Sequence, residues 1–336
     1  MSCQNVPMIS VIMSVFKEPV DWLRQSIDSI INQTFKDYEF IIICDNPLYE
    51  EGISLLNVYA RQDDRIKLLF NKENIGLTKS LNKGLSLAKG KYIARMDADD
   101  VSLPDRFESQ YDYLETHPDV DVCGCNFIFF GEVTFFSNKK SYLPITHKEI
   151  ISYLACKNPI AHPTVMMKRV ICGSTFYYDE SVKKAQDYKL WYDLFRRGAV
   201  FHNLNSRLLK YRISSTQITN SASASQNYTA DFVRSRLLRE AEGVNDYQET
   251  LHNEIFNASK SDKPLQDKLN WLLSLIKKNS SHPKGPYNSL LWFYYVKTCL
   301  LYSDLSYLSK QRRSILENIS LDTLIRLFVA YKRNRL

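Results

Sequence analysis

The chain opens on a short apolar run, Met8-Ile9-Ser10-Val11-Ile12-Met13-Ser14-Val15, and the theme returns at Phe40–Cys44, Ile66–Phe70 and Tyr92–Met96. Runs this short and continuous predict strands covered on both faces, not the alternation of a sheet with one wet side. Between them, apolar residues recur at helical spacing. Leu23, Ile27, Ile30 and Ile31 follow Lys17-Glu18-Pro19; Leu55, Leu56 and Tyr59 come next; Leu81, Leu85 and Ala88 precede Lys89-Gly90. Intervals of three and four residues put these side chains on one helix stripe, and Pro19 suits a first helical turn. A further helix is predicted to start near Leu103-Pro104-Asp105. Repeated strand–helix–strand units predict an α/β fold: a doubly wound, mostly parallel sheet with flanking helices. In such sheets ligands gather outside the carboxyl ends of the strands.

The pattern changes after Ser214. The stretch Ser214-Ser215-Thr216 to Ser221-Ala222-Ser223-Ala224-Ser225 is rich in Ser, Thr and Ala and reads as a linker. Beyond it the spacing is helical throughout: Trp271, Leu272, Leu275 and Ile276, then Leu290, Leu291, Phe293, Tyr294 and Tyr295. A last helix is predicted after Ser320, a good N-cap, with Asp322 in its first turn and Leu321, Leu324, Ile325, Phe328 and Val329 on one face. The expected division is therefore residues 1–218 as an α/β domain and 219–336 as a C-terminal all-helical region.

Composition alters this picture little. With 336 residues, 44% hydrophobic and 24% charged, the chain is an ordinary globular protein. The net charge of +7 is modest, and no nucleic-acid partner is expected. Its placement matters more: Lys310, Arg312, Arg313, Arg326, Lys332, Arg333 and Arg335 make the tail basic. A basic amphipathic helix suits an anionic membrane surface; a packed helix with cations at its favoured end is the competing reading. No apolar stretch approaches the ~20 residues of a membrane span, and no signal peptide is expected from the first residues. The seven cysteines are scattered; Cys44, Cys156 and Cys299 sit in apolar contexts that suit buried thiols in a reducing compartment. Cys123-Gly124-Cys125 lacks a second Cys or His pair and reads as strand-borne core thiols, not a zinc site.

The candidate chemistry lies where the fourth strand ends. Tyr92-Ile93-Ala94-Arg95-Met96 runs directly into Asp97-Ala98-Asp99-Asp100, three carboxylates within four positions. Such crowding is unfavourable without a cation. Hard oxygen ligands with no His or Cys beside them favour Mg²⁺ or Mn²⁺, ions that often share their shell with substrate phosphates. A solvated acidic turn at a helix start is the bland alternative. Asp45 follows the second strand, so two acidic sites fall at the same expected sheet edge. Neither a Gly-x-Gly-x-x-Gly after the first strand nor a Gly-Lys-Ser/Thr loop is present, which argues against dinucleotide-binding and P-loop folds.

Several of these segments together resemble family 2 glycosyltransferases: Ser10-Val11-Ile12-Met13-Ser14-Val15-Phe16, Ser29-Ile30-Ile31-Asn32-Gln33-Thr34-Phe35, Asn74-Ile75-Gly76-Leu77, Ala88-Lys89-Gly90 and Asp97-Ala98-Asp99-Asp100. Ala94-Arg95-Met96-Asp97-Ala98-Asp99-Asp100 and Asn158-Pro159-Ile160-Ala161-His162-Pro163-Thr164-Val165-Met166 are similar to bacterial enzymes of the amylovoran and O-antigen type. The resemblance covers about residues 8–218. It implies the GT-A fold and an inverting, metal-dependent transfer of one sugar from a UDP-sugar, glucose or galactose favoured. The implied acceptor is a lipid-diphosphate-linked saccharide, and the implied location the inner face of the cytoplasmic membrane. It further implies that Ser14 and Phe16 line the uracil pocket, that Asp45 accepts a hydrogen bond from base or ribose, and that Asp97 and Asp99 serve the Mn²⁺ or Mg²⁺ ion. Asp100 and His162 would lie on the acceptor side. Arg212 would pair with the diphosphate; Arg95 either reaches it or forms a local salt bridge. Asp187, in Ala185-Gln186-Asp187-Tyr188, would be the base that takes the acceptor proton. Many relatives have Glu where Gln186 stands, and Ser214 replaces a usual His. A catalytically silent nucleotide-sugar-binding relative is the alternative. A processive synthase would need membrane spans and Gln-x-x-Arg-Trp, and a phosphotransferase would carry its Asp pair after the first strand.

Overall fold

The protein is described here by a computed structural model covering residues 6–132, 138–214, 224–259, 261–279 and 286–320, together with 323, 324, 327, 328 and 331. The apolar runs form strands at the expected places: β1 (Ile9–Val15), β2 (Tyr38–Cys44), β3 (Ile66–Phe70) and β4 (Tyr92–Asp97). Between them lie α1 (Val20–Ile31), α2 (Glu50–Gln62) and α3 (Leu77–Leu87). A two-residue strand β5 (Val101–Ser102), helix α4 (Arg106–Thr116), strand β6 (Val122–Gly131), helix α5 (His147–Leu154), short strands β7 (Met166–Lys168), β8 (Val170–Ile171) and β9 (Ser174–Thr175), helix α6 (Gln186–Arg196) and strand β10 (Phe201–Ile213) follow.

Eight strands make one sheet in the order β3-β2-β1-β4-β7-β6-β10-β5. The β3-β2-β1-β4 half and the β6–β10 pair are parallel, whereas β7 runs antiparallel to both β4 and β6. The chain thus steps outward from β1 to β3 and then jumps back across β1 to β4. That reversal opens a crevice at the carboxyl ends of β1 and β4, where Ser14 stands level with Asp97. β1 and β2 are almost wholly buried because helices cover both faces. On one face Leu23, Ile27 and Ile30 of α1 join Val11, Met13, Phe40 and Ile42 in the core. On the other, α3 lies so near the sheet that a Cβ on Gly84 would meet Ile12 at 2.7 Å.

Cys123 and Cys125 are fully buried on β6, as expected of core thiols, and Cys44, Cys156 and Cys299 are buried too. The glycine between the first pair has its own reason. A Cβ on Gly124 would stand 2.1 Å from Asn203 Oδ1 and 3.0 Å from Ile160 Cγ2. Asn203 is fully buried and its amide holds Pro144 O and Pro159 O at 2.6 and 3.0 Å, so it cannot swing clear. Gly124→Ala is therefore expected to destabilise by about 1–3 kcal/mol, the usual range for overpacking. Urea unfolding reads this directly, and an unchanged midpoint would mean that the Asn203 amide relocates freely.

The chain divides into two compact units, Met1–Ile150 with Asn158–Thr229, and Ile151–Lys157 with Ala230–Leu336. The boundary between the units at Thr229/Ala230 falls inside α7 (Ala224–Glu242). The second unit also takes up residues 151–157, which no compositional cue marked. The reason is a buried network: His252 Nε2 donates to Ala155 O at 2.7 Å, and Trp271 Nε1 donates to His252 Nδ1 at 3.1 Å. Burial pushes this imidazole down to about 3, so it stays neutral with its tautomer set by these two bonds. The unit is helical, as expected, with α8 (Asp246–Asn257), α9 (Leu265–Lys278) and α10 (Pro286–Leu301) packing Leu251, Leu269, Trp271, Leu272 and Trp292 together.

Residues 215–223 of the expected linker lie outside the described residues. So do Leu321, Asp322, Ile325, Arg326, Val329, Lys332, Arg333 and Arg335 of the expected last helix. Its described positions are helical, and Ser320 Oγ accepts from Thr323 N–H at 3.2 Å, as an N-cap should. Leu324 and Leu327 are buried in the helical core.

Candidate active site

The acidic segment is fastened at both ends. Asp97 closes β4, and after the three residues Ala98, Asp99 and Asp100, β5 pairs antiparallel with β10. Polar groups of α1 and the turn after it secure the rest. Ser26 Oγ donates to Asp97 O at 2.8 Å, and Ser29 Oγ accepts from Ser102 N–H at 3.0 Å. Gln33 gives Nε2 to Leu103 O at 2.7 Å and accepts the Phe107 N–H at 3.0 Å. The conspicuous Ser29-to-Phe35 segment is thus a clamp on the acidic loop.

Within the loop, carboxylate oxygens of Asp97, Asp99 and Asp100 all lie within 4.8 Å of one another. Asp97 is partly exposed and receives Arg95 Nη2 at 2.5 Å. Asp100 is buried; its Oδ1 accepts the Arg212 N–H at 2.8 Å, while Oδ2 has no hydrogen-bond partner among the described residues. Burial, then the charges of Asp99 and Asp97, hold the Asp100 carboxyl well above the usual range. Three hard oxygen donors, one with an orphaned buried atom, form a set that fits a divalent cation.

Arg212, at the end of β10, lies against this loop. Its Nε donates to Asp99 O at 2.6 Å and its Nη2 to Gln25 Oε1 at 2.8 Å, with the guanidinium over Trp22 and Phe130 at 4.7 and 4.3 Å. Arg95 turns inward. It is buried, Nη1 bonds to Met96 O, and its free reach is taken by Asp97. Of the two readings of Arg95, the local salt bridge is the one formed here. Fully buried Arg106 ties Arg95 O at 2.8 Å to Val165 O at 3.2 Å, joining β4 to the segment that carries His162.

Ser14 and Phe16 stand at the end of β1, both partly exposed. Asp45, one strand away, is buried and already receives three donors: Asn71 Nδ2 at 2.7 Å, Ile75 N–H at 2.9 Å and Gly76 N–H at 2.8 Å. It therefore shapes the turn before α3. Gly76 has φ +86° there, a conformation that suits glycine alone.

His162 is buried in a one-turn helix, its Nε2 2.6 Å from Tyr178 Oη, with Trp191 beside it. Burial, and then the positive Arg95, hold the imidazole well below its ordinary range, so it is neutral. Asp187 lies in the first turn of α6, which Ala185 enters from a left-handed conformation at φ +56°. Burial raises the Asp187 carboxyl, and the charge of Asp97 raises it further. Opposing this are the N–H groups of Tyr188 and Asp187 and the Asn158 amide at 2.6 Å. A raised carboxylate is better matched than an ordinary aspartate to accepting a proton near neutral pH. The mutual influence of Asp97 and Asp187 places the acidic loop and the helix start in one electrostatic neighbourhood.

Three participants escaped the sequence reading. Glu18 caps the turn after β1, accepting the Phe16 N–H at 2.9 Å; burial raises its carboxyl, and Asp97 adds to the rise. Tyr178 links to His162, and Asn82 grips it from both sides of its backbone, at 2.9 and 2.8 Å. Asn158 holds Asp187. Periodicity marks none of them, although Asn158 stood in a segment already singled out.

The family described as Glycosyl transferase family 2 matches this chain over residues 10–176. An uncharacterized glycosyltransferase of Methanocaldococcus jannaschii is 37% identical over 62% of this chain and 71% of its own length. The O-antigen biosynthesis glycosyltransferase WbnJ of Escherichia coli is 35% identical over 67% and 87%. The amylovoran biosynthesis glycosyltransferase AmsE of Erwinia amylovora is 33% identical over 63% and 78%. Among solved structures, Staphylococcus aureus TarS in complex with UDP-GlcNAc matches with a TM-score of 0.57 at 14% identity, over 97% of this chain and 92% of TarS. The Pyrobaculum calidifontis mannosyltransferase PcManGT with GDP-Man and Mn²⁺ matches with a TM-score of 0.51 at 13% identity, over 99% and 89%. These two likenesses establish the GT-A architecture.

Proposed function

Because the chain belongs to glycosyl transferase family 2, we propose that it transfers a single hexose from a UDP-sugar to a sugar hydroxyl on a lipid diphosphate, with inversion, in O-antigen, capsular or exopolysaccharide assembly. The observation that carries this reading is the meeting of Asp97, Asp99 and Asp100 with the raised carboxylate of Asp187 at the switch point of the sheet. UDP-glucose and UDP-galactose are the favoured donors.

In the proposed reaction, Ser14 and Phe16 hold the uracil at the end of β1, and Asp45 keeps the neighbouring turn in shape. Asp99, with Asp97, would hold Mn²⁺ or Mg²⁺, which would supply Lewis-acid stabilisation of the charge developing on the diphosphate. Arg212 adds a fixed positive group on the same side. The acceptor oxygen attacks the anomeric carbon from the face opposite the diphosphate, and its proton passes to Asp187. The bond between the anomeric carbon and the phosphate oxygen breaks, and its electron pair leaves with UDP. One displacement gives an inverted, β-linked product from an α-linked donor. Asp100 and His162 support the acceptor side: Asp100 by holding β10 to the loop, His162 as a neutral wall residue braced by Tyr178.

The membrane side of the proposal rests on charge. Leu324 and Leu327 are buried, so the last helix offers its described apolar residues to the protein and not to lipid. Lys310, Arg312 and Arg313 are exposed, Arg313 paired with Glu317 at 3.0 Å, and this basic group could face an anionic surface.

The test is UDP release from a panel of UDP-sugars with Mn²⁺, the acceptor being a GlcNAc-diphospho-lipid in anionic vesicles. One donor is expected to give acceptor-dependent release, and the protein is expected to sediment with the vesicles less at high salt. Tight UDP binding with silence across donors and acceptors would favour the nucleotide-sugar-binding alternative. Failure to sediment at low salt would remove the membrane contact.

A further inference from the structure

We infer that Asn158 is a positioning residue for the proposed base, orienting the Asp187 carboxylate and holding it ionised; the inference rests on Asp187 accepting the acceptor proton. Its amide has a determined orientation. Asn158 Oδ1 accepts the Ile160 N–H at 3.3 Å, which leaves Nδ2 to donate to Asp187 Oδ2 at 2.6 Å. A hydrogen bond to a carboxylate at this distance is a strong one and favours the charged form.

The turn that carries Asn158 is itself anchored. Asn203 Nδ2, from β10, donates to Pro159 O at 3.0 Å and to Pro144 O at 2.6 Å. Asn203 fits there because Gly124 on β6 lacks a side chain. Two strands of the sheet interior thereby fix the group that aims the carboxylate. The other groups facing Asp187 are accounted for. Its own N–H and that of Tyr188 come from α6, the Tyr178 hydroxyl from the segment before α6, and the Asp97 charge from β4. Among the described residues, Asn158 is the side chain that donates a hydrogen bond to this carboxylate.

The experiment compares Asn158→Ala, Asn158→Asp and Asp187→Asn in the acceptor-dependent assay across the acid limb of the pH profile. Loss of the donor removes an interaction that favours the ionised base, so the base pKa rises and the limb moves to higher pH. Asn158→Ala is expected to lower kcat roughly tenfold or more and shift the limb up by about one pH unit, with the donor KM unchanged. Asn158→Asp keeps the shape and the Ile160 bond but replaces the donor with a like charge; the limb is expected to move further up. Should the alanine variant melt early, the aspartate variant decides. A folded Asn158→Asp protein with wild-type kcat and limb overturns the inference. If Asp187→Asn is inactive in that case, the base reading stands without it; an active Asp187→Asn would remove both.

Discussion

Asp187→Asn is expected to lower kcat by about 10²–10⁴ while leaving UDP affinity and melting temperature close to wild type. That range, about 3–5.5 kcal/mol of barrier, is what a positioned general base contributes. The substitution preserves shape, and the asparagine carbonyl can still accept from Asn158, so the fold has no reason to yield. What is lost is the capacity to take a proton from the acceptor. The pH dependence carries the same signature with a definite sign. Burial, and then Asp97, raise this carboxyl above an ordinary aspartate. Activity is therefore present above the raised pKa and falls as pH drops through it, at higher pH than an exposed carboxylate near ~3.9 would give. Single-turnover rates across pH check this, because they isolate the chemical step. A limb at the ordinary aspartate position, or a variant with intact turnover, would contradict the assignment.

The second large effect is expected at Asp99. Asp99→Ala should reduce Mn²⁺-dependent turnover by about 10²–10³, the loss that follows removal of one group stabilising developing charge. Unlike Asp187→Asn, it should also weaken UDP binding and flatten the dependence of that binding on Mn²⁺. The contrast follows from the proposed reaction: Asp187 would act on the acceptor proton, whereas Asp99 would act through a divalent cation that neutralises the diphosphate. Calorimetric titration of UDP with and without Mn²⁺ separates the two. Equal UDP affinity in wild type and Asp99→Ala at saturating Mn²⁺ would move the cation away from this loop.

Both variants probe a site whose parts come from distant segments: Asp97–Asp100, Asn158–His162, Asp187 and Arg212. The acidic loop alone has three supporters in α1 and its following turn: Ser26, Ser29 and Gln33. Ser26 looks in sequence like an ordinary polar residue on a helix, and the segment that holds Ser29 and Gln33 stood out without showing what it binds. Only their hydrogen bonds to Asp97 O, Ser102 N–H and Leu103 O show that they hold the loop in shape. Arg95 teaches the opposite lesson. A cation beside a carboxylate cluster invites assignment to a phosphate, yet its buried position on β4 directs it to Asp97 and to strand carbonyls.

The sequence by itself determined the strand–helix alternation, the parallel half of the sheet, the edge at which Asp45 and Asp97 emerge, and the helical character of the C-terminal region. These follow from local periodicity, because burial on both faces of a strand, or on one stripe of a helix, is written into consecutive residues. The family resemblance also put forward Asp99 and Asp187, the residues on which the proposed reaction rests, since chemistry restricts which residue types can hold a cation or take a proton. The tertiary structure alone decided the antiparallel insertion of β7 between β4 and β6, the transfer of residues 151–157 to the helical unit, and the roles of Glu18, Asn158, Tyr178 and Arg95. Each depends on a partner distant in the chain or on burial by another element, as in the Asn158–Asp187 bond across 29 residues. Periodicity records which face of an element is covered; it holds no record of what covers it.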